Sequence, residues 1–153
     1  MRFLLLGLFL ICTAAGAQER SKGETLYLPI YSHIWHGEVG RDGKPARTLV
    51  SVSVSIRNTD PAQSIRVTSA QYFDTDGKRL KEYFPKPVVI GPMGTREIFI
   101  SRSDDSGGSG ANFIVVWNSD AAVSPPIVQA VHVDLPGGRS VVFTTTATRI
   151  PPP

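Results

Sequence analysis

The sequence predicts an all-β chain: a single antiparallel β-sandwich, immunoglobulin-like in broad architecture, with a closed β-barrel as the alternative. Three observations point there. Short runs rich in Val, Ile, Thr, Phe and Tyr recur along the chain, punctuated by Gly, Pro, Asn and Asp. No window sustains an apolar period of 3.6 residues, so no amphipathic helix is expected. The run Thr48 to Arg57 alternates, with Val50, Val52, Val54 and Ile56 set against Ser51, Ser53, Ser55 and Arg57. That pattern marks a strand with one buried and one wet face.

The chain opens MRFLLLGLFLICTAAGAQER, with one cation at Arg2, an apolar run from Phe3 to Ile11, and small residues Ala15-Gly16-Ala17. This reads as a signal peptide over residues 1–17, cleaved after Ala17. Its apolar run is too short for a membrane span of roughly 20 residues, so no transmembrane segment is expected in the mature chain. Export to the periplasm or beyond follows as an expectation. The single cysteine, Cys12, falls inside the signal, and Ile11 stands where a lipid-anchoring motif needs a small residue. A cysteine-free mature chain of about 136 residues has no disulfide and must be held by packing, for which that length suffices. Losing Arg2 takes the net charge from +3 to +2, 15 basic side chains against 13 acidic. A surplus so small and so dispersed gives no reason to expect a nucleic-acid partner.

Residues 18–24 form a polar leader, and residues 25–150 the sandwich domain. Thr25 to Tyr31 is the first strand, which Pro29 should kink or confine to an edge. After Thr48 to Arg57, Asn58-Thr59-Asp60-Pro61 makes a turn, and Ser64 to Phe73 a second clear strand. Asp76-Gly77 signals a hairpin into Lys78 to Phe84. Pro85, Pro87 and Pro92 leave Val88-Val89-Ile90 room only for a short or edge strand. Arg96 to Ser101, Phe113 to Trp117, Ile127 to Leu135 and, beyond Pro136-Gly137-Gly138, Ser140 to Ile150 complete eight or nine strands. Pro151-Pro152-Pro153 reads as an exposed tail.

Four segments in this order, LYLPIYSHIWHG, SVSIRNTDP, YFDTDGK and GGSGANFIVVW, resemble the bacterial secreted family of domain of unknown function 3124. The resemblance covers nearly all of the mature chain. It implies one extracytoplasmic domain and carries over neither an activity nor any site residue.

Chemistry-bearing clusters are few. GGSGANFIV, residues 107–115, approaches a calcium-binding nonapeptide with Asn112 in place of Asp, but neither IFISRSDDS before it nor VWNSDAAVS after it repeats the unit. A lone unit builds no calcium coil, so a glycine turn launching a strand is the favoured reading. Asp104, Asp105 and Asn112 could still offer oxygen ligands to an isolated calcium ion. His33 and His36 are three apart, which in a strand or loop points them to opposite sides; a transition metal would need His132 or Met93 as well. Ser109 with His132 as base is the only hydrolase pairing, and no acid or oxyanion site accompanies it. Lys78, Arg79, Lys81 and Lys86 interleave with Tyr83 and Phe84, which suits a charged edge strand better than a polyanion surface. Trp35 and Trp117 read as core anchors, with a sugar-stacking platform as the alternative.

These residues predict a non-enzymatic binding or structural module of the cell envelope, without cofactor or catalytic residues. Its partner would be an envelope protein, a polymer or a small ligand. Metal binding stands second and a serine hydrolase third. The speculative contact residues are Asp104, Asp105, Gly107, Gly108, Gly110, Asn112, His33 and His36.

Overall fold

In the computed structural model, residues 19–135, 137–138 and 140–151 are described. The expected signal peptide with Cys12, and the last two prolines, lie outside them. Twelve strands follow in order: β1 (Ser21–Pro29), β2 (His33–Val39), β3 (Pro45–Leu49), β4 (Ser51–Arg57), β5 (Ile65–Phe73), β6 (Arg79–Glu82), β7 (Val88–Ile90), β8 (Thr95–Ile100), β9 (Asn112–Val123), β10 (Ile127–Asp134), β11 (Val141–Thr146) and β12 (Thr148–Ile150). One sheet runs β12-β1-β9-β5-β6, with β7 also paired to β5; a second runs β11-β10-β4-β8; β2 and β3 form a separate two-stranded ribbon. Every pairing is antiparallel. Neither sheet closes into a barrel, and the sandwich expected from the sequence is what forms.

The core explains the alternation. Val52, Val54 and Ile56 of β4 meet Leu26 and Leu28 of β1, Ile65, Val67 and Tyr72 of β5, and Phe113, Val115 and Trp117 of β9 in one cluster fed by both sheets. Each such aliphatic removed from water contributes roughly 1.5–3 kcal/mol against the entropy of ordering the chain. The Asp-Gly hairpin forms as its residues dictate: Gly77 takes φ +79°, and the Asp74 carboxylate accepts the N–H groups of Asp76 at 3.0 Å and Lys78 at 2.8 Å. Exposed Arg79 and Lys81 then lie on β6, at the end of the first sheet. Placing charge on that open edge hinders pairing with another chain.

A polar knot ties the far end of β4. The Asn58 side-chain amide donates to the carbonyls of Gln63, Ile90 and Gly91, while its oxygen accepts the Asp60 N–H. Buried Asp60 accepts from Ala62 and Gln63 and pairs with Arg20 at 3.0 Å. The backbone donors of Ala62 and Gln63, more than the Arg20 charge, hold its carboxyl below the usual range.

Several expectations need correction. Residues Ser21 to Glu24 are not leader but the start of β1, entering through a bulge. β1 is a central strand in spite of Pro29, because proline is its last residue and the β12 pairing stops at Tyr27, so no ladder on that side requires its missing N–H. Thr48 to Arg57 is two strands: at Val50, whose N–H donates to the Ser32 carbonyl, the chain leaves the ribbon for the second sheet. Ser140 to Ile150 is likewise split at Ala147, β11 serving one sheet and β12 the other. The ribbon itself is the element that the alternation rule misses.

Candidate functional site

The ribbon and the glycine-rich loop share one end of the sandwich. Register pairs His33 with Leu49, Ile34 with Thr48, Trp35 with Arg47 and His36 with Ala46. Residues opposite one another share a face, so His33, Trp35, Arg47 and Leu49 lie on one side, and Ile34, His36, Ala46 and Thr48 on the other. On the second side, the His36 ring nitrogen Nε2 is hydrogen-bonded to the Thr48 hydroxyl at 2.9 Å. The tip turns through Gly43 at φ +75°, and the Asp42 carboxylate accepts the Lys44 N–H.

On the first side, His33 is buried at the base of the ribbon, and its ring meets Trp35 edge-on at 4.8 Å and 88°. Neither His33 nitrogen has a hydrogen-bond partner. Burial, then the nearby Arg47 charge, lower its pKa from the ordinary histidine value, with Asp105 opposing them. Arg47 reaches across to Asp105 at 3.2 Å, and this exposed ion pair links ribbon to loop. Trp35 keeps 46 % of its surface in water. The expectation of a core anchor there is wrong; of the two tryptophans only Trp117 is one. A shallow cleft of about 400 Å³ lies beside the Trp35 indole, lined also by Asp42, Lys44, Pro45 and Arg47.

The loop explains its own glycines. A β-carbon on Gly107 would overlap the Tyr72 hydroxyl, one on Gly108 the Thr75 hydroxyl, and one on Gly110 would press on the Thr75 methyl at 3.1 Å. Gly108 also holds φ +77°. The carbonyl of Gly107 accepts from the Thr75 N–H at 2.9 Å and from its hydroxyl at 3.0 Å, and the Gly110 N–H donates back to that hydroxyl. The Gly108 carbonyl accepts from Ser32, and the Ala111 carbonyl from Ile30. The surface this loop is held against is therefore the β5–β6 hairpin and the β1–β2 junction of the same chain. Beyond it, β9 buries Phe113, Val115 and Trp117 as the glycine-turn reading requires.

The remaining site residues are dispersed. The Asp104 carboxylate accepts from the backbone and hydroxyl of Ser106, Asp105 faces Arg47, and Asn112 sits in the β9 ladder between Pro29 and Phe73. Among the described residues no three His, Cys, Asp or Glu side chains gather as a metal-ligand set. His132 lies in the core on β10, stacked flat on Phe143 at 4.4 Å, and its Nε2 accepts the Tyr31 N–H at 3.1 Å. That bond occupies one ring nitrogen, and the other is buried without a partner. Burial pushes its pKa down to about 4, the Phe143 backbone partly opposing. The sequence puts His33 among the contact residues but neither Lys44 nor Arg47, and favours a core role for Trp35 over sugar stacking; the ribbon's polar tip, GRDGK, was the available signal.

A second concavity of about 370 Å³ is lined by Gly23, Thr25, Val116, Asn118 and neighbours. Trp117 also lines it but is buried, and the concavity's one cation, Arg149, faces Glu24 at 3.8 Å. The Trp35 cleft differs in that its aromatic is exposed beside charges of both signs.

The sequence profile of the family described as "Protein of unknown function (DUF3124)" matches residues 23–150. None of the curated proteins compared matches the chain. Among solved structures, one titled "Crystal Structure of Thermotoga maritima 1070" is similar at 14% identity and a TM-score of 0.45, over 82% of this chain and 92% of that one. A likeness so loose transfers no role.

Proposed function

This chain belongs to the DUF3124 family of proteins of unknown function, and we propose that it is a non-enzymatic binding module, exported across the cytoplasmic membrane, whose contact surface is the β2–β3 ribbon. The observation that carries the reading is Trp35. A tryptophan left nearly half in water forgoes much of the stabilisation its burial would give, and exposed aromatics of this kind are enriched where partners bind. The indole is also held in place, by the His33 ring at its edge and by the Arg47–Asp105 pair beside it. Preorganised side chains lose less freedom on binding.

The acidic and imidazole groups elsewhere have structural work to do. Asp60 anchors a turn. Glu82, which burial would push up, is held lower by donors from Ala70, Ser69 and Phe84 and braces the β5 bulge. His132 fills core. The test is retention of the purified protein on envelope from its own cell. Trp35→Ala is expected to fold normally and to lose at least about 10-fold in retention, a change of roughly 1.4 kcal/mol; equal retention of both proteins would remove the ribbon from the contact.

A further inference from the structure

The chemistry around Trp35 selects among ligands. A cation on the indole face would gain from the ring quadrupole, but Lys44 and Arg47 line the same cleft and repel it. A wholly apolar ligand would strip water from those cations and from Asp42 without replacing its hydrogen bonds. A ligand that fits has a flat face of C–H groups to lie on the indole, hydroxyls at its rim and a negative charge. The indole's negative face attracts polarised C–H groups as it does the edges of other rings. The Asp42 oxygen Oδ1 is engaged by the Lys44 N–H, and Oδ2 can accept from a hydroxyl. Arg47 keeps donors beyond the one that reaches Asp105. Lys44 has no ion-pair partner among the described residues.

Resting on the ribbon as contact surface, we infer that the Trp35 cleft binds an acidic polysaccharide, with one carboxylate-bearing sugar ring on the indole and its carboxylate toward Lys44 and Arg47. The cleft is shallow and sits on a projecting ribbon, so a polymer can cross it without ending there. A volume of about 400 Å³ lies at the small end of ligand sites and suits one or two rings. Single-stranded nucleic acid also combines stacking with cations, yet its platforms set successive aromatics along a basic groove. Here the cleft offers one indole and no second aromatic to continue such a platform.

The test is titration of the purified protein with a galacturonate oligomer, with a neutral glucan oligomer and oligo-dT of matching length as comparisons, followed by calorimetry and tryptophan fluorescence. The galacturonate oligomer is expected to bind and to perturb the Trp35 emission. Binding should weaken at least about 10-fold with Trp35→Ala or Lys44→Glu, and weaken in high salt. The neutral glucan should bind more weakly. Near-ultraviolet circular dichroism from buried Trp117 checks that each variant is folded. No binding of the galacturonate oligomer, binding that Trp35→Ala leaves unchanged, or tighter binding of oligo-dT would each overturn the assignment. If Trp35→Ala abolishes envelope retention while the galacturonate oligomer fails to bind, the ribbon stands as contact surface and the acidic polysaccharide is excluded; if retention is also unaffected, both fall.

Discussion

Gly107 lies directly against the hydroxyl of Tyr72, with no room for a β-carbon between them. Tyr72 stacks in turn on Phe113 at 5.0 Å and is hydrogen-bonded to the Ser32 hydroxyl at 3.2 Å. The glycine loop is thus part of the core's closure at this end. Gly107→Ala should destabilise the fold by about 3 kcal/mol or more, because either ring or loop must move. Removing the hydroxyl as well, in Gly107→Ala with Tyr72→Phe, should recover part of that loss. Urea unfolding of the two variants measures it, and additive losses would show that the overlap is not the cause.

Asn58→Ala should cost roughly 3 kcal/mol, since the carbonyls of Gln63 and Ile90 and the Asp60 N–H lose their bonds to Asn58, while the Gly91 carbonyl keeps the Gly94 N–H. Asn58→Asp should be nearly as damaging, because a carboxylate cannot donate to three carbonyls. Equilibrium unfolding at neutral pH distinguishes this knot from an ordinary turn, where either change would cost under about 0.5 kcal/mol.

Acid should destabilise the fold through its buried histidines. The folded pKa of His132, about 4, lies below its ordinary 6.5, so the unfolded chain takes the proton first as pH falls. The stability held by keeping the ring neutral is complete above about pH 6.5, declines toward pH 4 and then levels, a loss of roughly 3 kcal/mol. His33, lowered in the same direction by burial and Arg47, adds to it. His132→Phe should flatten the stability profile between those limits, as measured by urea midpoints at a series of pH values, even though the Tyr31 N–H loses its acceptor. A slope unchanged by the substitution would assign the acid sensitivity elsewhere.

What the sequence reveals of this fold follows burial. β4 is legible because Val52, Val54 and Ile56 face one core while Ser53 and Arg57 face water. The β5–β6 hairpin is legible because Asp74 and Gly77 act within five residues of each other. β2 and β3 are hidden because the ribbon has little buried face: from Trp35 to Lys44 every residue is exposed, so no alternation marks it. Trp35 misleads for the same reason, since a large aromatic is usually mostly buried. The loop's need for glycine was visible, but its cause was not, because Tyr72 and Thr75 lie more than thirty positions from Gly107.

Trp35→Ala should leave thermal stability within about 0.5 kcal/mol of the original, as befits a half-exposed side chain off the main core cluster. Calorimetric unfolding checks this, and a loss above about 2 kcal/mol would make Trp35 a structural residue after all.

Hydrogen exchange of the protein, free and bound to its own isolated envelope, tests the contact surface most directly. New protection is expected only in the ribbon, residues 33–49, and in loop residues near Asp105. Protection placed instead on the outer face of the second sheet, around exposed Phe99 and Val142, with the ribbon unchanged, would contradict it.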